Sequence, residues 1–265
     1  MVRHRFFSVL LLLALLLTSA IPPVMADKPS PEPTPEASNP AGPAPSELYL
    51  GMTPEERDLA IKKEADCKSQ VSVNSPYYYK SLDVPYYEQE RGYWCGPASG
   101  RGILVYLGQT AYTQSYLAGP YDPGRGLYGM ETTEKDGTFV WKYARTLTDL
   151  DGKPSTTWVW SYVNNNGSVS NYKMHLKYDL NNNMPQANRD KTLVDGYYLK
   201  GFVNLYYHYI VACGLDEDPL NGFDDVRYTN SYENPGPETS LGRWWWPASH
   251  VANCNVKYEG GWVVY

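Results

Sequence analysis

The apolar pattern of the chain changes period part-way along. In TPEERDLAIKKEA, Thr53 can cap, Pro54 suits the first helical position and Glu56 closes a capping box, so a helix leading to Cys67 is expected. CGPASGRGILVYLG starts a second helix, with Pro97 in its first turn and Gly108 as its stop. Gly100 and Gly102 lower its helix propensity by about 1 kcal/mol each, which implies a close packing partner. In GTFVWKYARTLTDL, Phe139, Val140, Tyr143, Ala144 and Leu147 share one helical face. SNYKMHLKYDLNNN reads as a short helix capped by Ser170 or Asn171. KSLDVPYYEQ and TTWVWSYV read as strands, the first held to an edge or a strand end by Pro85. From TLVDGYYLKGFVNL onward the pattern is strand, turn, strand, through YYHYIVACGLD and DDVRYTNSYE to GGWVVY. NPGPETSLGRWWWPASH reads as a long surface loop. Helical patterns early and strands late imply an α+β fold rather than a doubly wound sheet.

The N-terminus has a different character. Arg3, His4 and Arg5 precede the short apolar core Phe6 to Leu17, and VMA ends at Ala26. That is the pattern of a secretory signal peptide over residues 1–26, which implies a secreted, extracellular protein. The core is short of the roughly 20 apolar residues that span a bilayer, so no membrane span is expected after cleavage. Residues 27–46 are rich in Pro, Ala, Ser and acid and read as a disordered tether. Residues 47–71 form the N-terminal helical segment, and 72–265 the main domain. The chain carries a net charge of −6 and shows no basic patch, which argues against nucleic acid as a partner. Its 25 tyrosines and 8 tryptophans fit a β-rich core with a Tyr-coated surface, or an aromatic groove for peptide or glycan.

The chain has four cysteines, Cys67, Cys95, Cys213 and Cys254. Cys213 lies in the apolar run YIVACGL and reads as a core residue. With Cys95 unpaired, the pairing left over is Cys67 with Cys254, joining the start of the domain to its end. Cys95 stands where a loop turns into a helix. There the helix dipole and unpaired N–H groups stabilise a thiolate and lower its pKa, which makes Cys95 a candidate nucleophile. His175 sits in a polar helical segment and reads as solvated; His250 lies in the Trp-rich loop. His208 opens HYIVACGLD at a strand rim, where an imidazole can act as base. Asn230 ends the next strand, and its carbonyl can fix the ring of His208. Asp225 precedes that strand and should lie at its other end. Gln89, six residues before Cys95, can donate beside the Cys95 N–H to form an oxyanion hole. No zinc-like spacing occurs, and no metal or cofactor is implied.

The segments VPYYEQERGYWCGPASGRGILVYLG, HYIVACGLD and RYTNSYENPG resemble the papain-like cysteine peptidase superfamily, in the branch related to bacteriocin-processing, double-glycine leader peptidases. The order Cys95, His208, Asn230, with Gln89 ahead of the cysteine, is that superfamily's order. The resemblance implies a papain-like fold and a secreted peptidase acting on a peptide or protein substrate. It also suggests that residues 47–71 act as an inhibitory pro-segment. Leader peptidases usually have Asp where this chain has Asn230, and they occur fused to an export transporter. The leader-cleaving role is therefore not implied. The alternatives are a cell-wall amidase or endopeptidase acting on peptidoglycan, and a non-catalytic binding module on the same fold.

Overall fold

The computed structural model describes residues 51–71, 77–153, 156–162, 168–234, 237–257 and 261–265. The signal peptide and tether expected over residues 1–46 lie outside the described residues. No helix among the described residues is long and apolar enough to cross a membrane.

Helix α1 (Pro54–Val71) starts with the expected capping box. The Thr53 N–H donates to Glu56 Oε2 at 2.8 Å, and the Glu56 N–H donates to Thr53 Oγ1 at 3.2 Å. Glu56 also pairs with Arg145, and Lys63 donates to the carbonyls of Thr157 and Tyr265 at 2.9 Å each. α1 is thereby tied to the body of the domain.

Helix α2 (Cys95–Tyr106) ends as the sequence predicts, with Gly108 at a φ of +90° just beyond it. Its internal glycines mark close approaches. A Cβ on Gly100 would stand 2.5 Å from Met130 Cε, and one on Gly102 would stand 2.6 Å from the Pro85 carbonyl oxygen. After α3 (Gln114–Leu117) comes α4 (Val140–Leu150), which buries Val140, Tyr143, Ala144 and Leu147; Phe139 caps it rather than joining it. α5 (Val169–Asn181) is capped by Ser168, not by Ser170 or Asn171. The Ser168 hydroxyl takes the Asn171 N–H at 3.1 Å, so the helix starts ahead of both expected caps.

The main sheet is antiparallel, in the order β2 (Trp160–Tyr162), β9 (Trp262–Val264), β3 (Gln186–Lys191), β6 (Tyr207–Asp218), β7 (Phe223–Asn230), β8 (Gly242–Pro247). β1 (Tyr78–Ser81) pairs with β6 over Gly214–Glu217, next to the stretch that pairs with β3. β4 (Leu193–Val194) and β5 (Tyr197–Tyr198) form a separate hairpin. Helices early and an antiparallel sheet late make the fold α+β, consistent with a papain-like arrangement.

Several expectations need correction. Only Lys80 and Ser81 of KSLDVPYYEQ lie in a strand; the rest is extended chain held at two points, Leu82 N–H to the Cys213 carbonyl at 2.7 Å and Gln89 N–H to the Ser231 carbonyl at 2.8 Å. The Trp-rich segment is not a loop. It forms β8 on the edge of β7, then α6 (Ala248–Val256), because three consecutive aromatic residues favour a pleated strand until Pro247 ends it. Cys67 and Cys254 are not paired: both are buried free thiols. Cys67 instead lies 4.0 Å from His175 Nδ1. His175 is buried rather than solvated, with its Nε2 at 3.0 Å from Glu64 of α1.

Side chains alternate between the two faces of a strand. Tyr209 of β6 and Arg189, opposite it on β3, point to one face. There the Tyr209 ring stacks on Tyr143 of α4 at 5.0 Å, and the Tyr209 hydroxyl donates to the Thr138 carbonyl at 3.0 Å. Tyr143 also bonds Ser99 of α2 at 3.1 Å. His208 and the opposite Asp190 point to the other face, where Asn188 bonds Tyr172 of α5 and Asp190 accepts from Asn255 of α6.

Candidate active site

Cys95 is the first residue of α2, half-buried, with a free thiol. The backbone N–H groups of Tyr209, Gly96 and Cys95 itself lie close enough to its sulfur to favour the thiolate. The helix terminus thus meets β6 one residue from His208. Burial pushes the thiol above its ordinary pKa, against the pull of these N–H groups and of the Arg189 charge. The lowered pKa expected from the helix terminus alone is outweighed by desolvation.

His208 is buried at the start of β6, among the rings of Phe202 and Tyr232. Its Nε2 lies 2.6 Å from Asn230 Oδ1. Asn230 ends β7, beside β6, so the two side chains meet diagonally across neighbouring strands on one face. The Asn230 amide is fully used. Its Oδ1 also accepts the Tyr232 N–H at 3.2 Å, while its Nδ2 donates to the carbonyls of Tyr232 at 2.9 Å and Ser240 at 2.6 Å. Those two donor bonds fix which end of the amide is oxygen. They assign the His208 ring as the Nε2–H tautomer, with its Nδ1 lone pair directed away from Asn230. Burial pushes His208 down to about 4, although the Asn230 bond favours the protonated ring. Asp225 lies within β7 rather than ahead of it, but towards the end away from the ring, opposite Asp216.

Gln89 is near this group but faces another way. Its backbone N–H donates to Ser231, the residue after Asn230. Its side-chain Nε2 donates to the carbonyls of Arg91 at 3.0 Å and Gly92 at 2.6 Å, and its Oε1 is buried without a partner among the described residues. Both amide hydrogens are engaged within the loop.

Three contributors escape sequence reasoning. Gln114, buried on α3, clamps the Gln89 loop from both sides: its Oε1 accepts the Glu90 N–H at 3.0 Å, and its Nε2 donates to the Glu88 carbonyl at 2.7 Å. Arg189 carries positive charge towards Cys95, and Asp190 stands opposite His208. All three lie in the stretch between the diagnostic motifs and carry no local signal. Among the described residues no group of His, Cys, Asp and Glu is arranged to hold a metal ion.

The head of α2 thus meets β6 at Tyr209, next in sequence to His208, whose Asn-bound ring lies on the other face of the strand. A comparison with curated proteins found no match. The sequence pattern of the Peptidase_C39 like family matches residues 81–252. That span runs from the end of β1 into α6 and contains Gln89, Cys95, His208 and Asn230. It covers well over half of the chain, and with the fold it places the protein: the chain belongs to the Peptidase_C39-like family, within the papain-like cysteine peptidase superfamily.

Proposed function

We propose that the protein is a cysteine peptidase that hydrolyses peptide bonds through Cys95, His208 and Asn230. One observation carries this reading: the head of α2 brings Cys95 to Tyr209, the residue after His208, and Asn230 holds the His208 ring at 2.6 Å. Burial raises the thiol and lowers the imidazole, so the resting pair is a neutral thiol and a neutral ring. His208 stands at the start of β6, and the chemistry needs its ring to reach past the strand end towards α2, where Nδ1 takes the thiol proton as the sulfur attacks the carbonyl carbon. The carbonyl electron pair moves to oxygen, which the Cys95 N–H stabilises. Gln89 contributes the second donor by exchanging one loop carbonyl for the substrate oxygen. The imidazolium returns its proton to the departing amine as the C–N bond breaks. A water, deprotonated by the same ring, then cleaves the thioester, and the proton restores the thiol.

The apolar leader of residues 1–26 supports action outside the cell. A panel of peptides, casein and dye-labelled cell walls, assayed with wild type and Cys95→Ala, tests the reading. Peptide or casein cleavage that disappears in the variant supports it. Dye release without peptide cleavage makes the enzyme a cell-wall amidase. No hydrolysis, with sluggish alkylation of Cys95 by iodoacetamide, makes the fold a binding module.

A further inference from the structure

His208 has a second neighbour that the mechanism above does not use. Asp190 of β3 stands directly opposite it in the β3–β6 register. Directly opposed residues on one face of an antiparallel pair have Cβ atoms about 4.5–5.5 Å apart. Both side chains are buried. Asp190 Oδ1 accepts the Asn255 Nδ2–H at 2.8 Å, while its Oδ2 has no partner among the described residues. The groups around the carboxyl are Asn255 and Cys254 of α6, Tyr172 of α5 and Tyr228 of β7, and His208 of β6 is its partner across the strands. None of these neighbours is a second carboxylate or a permanent cation, and burial holds the Cys254 thiol and the Tyr172 and Tyr228 phenols in their neutral forms. Burial pushes the carboxyl up to about 8, against the Asn255 bond.

Asn230 orients the ring but brings no charge, and the Tyr232 and Ser240 carbonyls at its Nδ2 leave no room for a carboxylate there. We propose that Asp190 is the charged partner of His208: its carboxylate, across the strands from the ring, raises the basicity of the imidazole and so sets how readily His208 takes the Cys95 proton. Asp190 is a positioning residue in the electrostatic sense, acting through His208 without touching substrate. The proposal rests on His208 being the base for Cys95. Ionisation of Asp190 releases its proton to solvent, and a proton gained by the ring then restores the charge of the pair. The two groups titrate as a coupled pair.

The test needs no substrate. In full-length wild type, the ring-nitrogen resonance of His208 should inflect near pH 8 as Asp190 ionises, and Asp190→Asn should abolish that inflection. Alkylation of Cys95 by iodoacetamide should be about equal in wild type and Asp190→Asn at about pH 6, and about tenfold faster in wild type above about pH 9. A structural role alone would slow the variant equally at both pH values, and that result would overturn the proposal. So would a wild-type ring without the inflection, a reading that stands even where Asp190→Asn does not fold. Inflection and pH-dependent ratio without hydrolysis of any peptide would uphold the coupling while removing the peptidase reading.

Discussion

Replacing Asn230 with Asp puts a carboxylate where leader peptidases usually carry one, and the structure indicates that this chain will not accept it. The new Oδ1 can keep the bonds from His208 Nε2–H and the Tyr232 N–H. The second oxygen takes the place of Nδ2, at 2.9 Å from the Tyr232 carbonyl and 2.6 Å from the Ser240 carbonyl. Two donor bonds become two oxygen–oxygen contacts in a buried pocket. Leaving buried acceptors unpaired costs about 1–3 kcal/mol each, so a loss of about 3–5 kcal/mol is expected. That is a large part of the roughly 5–15 kcal/mol typical of a domain. Protonation of the introduced carboxyl would relieve one contact, so the folded state should hold that proton and the acid's folded pKa should lie above its unfolded value. Stability lost by the variant should therefore be least near the unfolded pKa, about 4, and grow as pH rises towards the folded pKa. Urea unfolding of Asn230→Asp at neutral pH should show a midpoint about 1–2 M lower with an unchanged slope. A variant as stable as wild type, with a higher kcat/KM, would refute the reasoning and make Asn230 a plain substitute for Asp.

Gln114→Leu removes the clamp on Glu88 and Glu90, so kcat against a cleaved peptide should fall about tenfold with far-UV circular dichroism unchanged; unchanged kcat would detach the clamp from the chemistry. Asp190→Asn should gain stability over wild type as pH rises from about 4 to 8, because the folded carboxyl keeps its proton up to about 8 while the unfolded one ionises near about 3.9; the gap corresponds to at most about 5–6 kcal/mol, readable as the difference between denaturation midpoints across that range. Deleting residues up to 71 removes the Lys63 bonds to Thr157 and Tyr265, the Glu56–Arg145 pair and the burial of Cys67, so the truncated protein should melt well below the full chain; a truncated form that is stable and more active would make α1 an inhibitory pro-segment.

Elements whose residue types agree with their environment were readable in advance. Thr53, Pro54 and Glu56 specify the start of α1 by local bonds alone, and the apolar face of α4 follows from its spacing. Gly100 and Gly102 cost helix propensity, and the structure supplies the close contacts, Met130 and Pro85, that this cost implies. The Trp-rich segment misled because its flanks are full of Pro and Gly. Its strand exists through the ladder to β7, which pairs Trp244, Trp245 and Trp246 with Tyr228, Arg227 and Val226. His175 misled for a similar reason: polar neighbours in sequence suggested solvent, whereas Glu64 and Cys67 of α1 and Tyr265 at the end of the chain enclose it.

The site divides along the same line. Cys95 at a helix head, and His208 and Asn230 on strands joined by a short connection, are positions that local pattern and chain order can find. What surrounds them is not. The thiol's pKa is decided by burial that no helix-terminus argument contains, and the Gln89 amide by the carbonyls of Arg91 and Gly92. β3 shows why most plainly. Its inward positions at Gln186, Asn188 and Asp190 are polar, where strand recognition looks for apolar residues. Each is admitted by a bond from elsewhere in the chain: Gln186 to Asp179, Asn188 to Tyr172, Asp190 to Asn255. A strand satisfied only by tertiary partners gives no strand signal in isolation, and residues 186–191 received no reading from the sequence. The carboxyl opposite His208 is hidden with it, because the bond from Asn255 that admits Asp190 to the interior also admits an ionisable group at the position paired with His208.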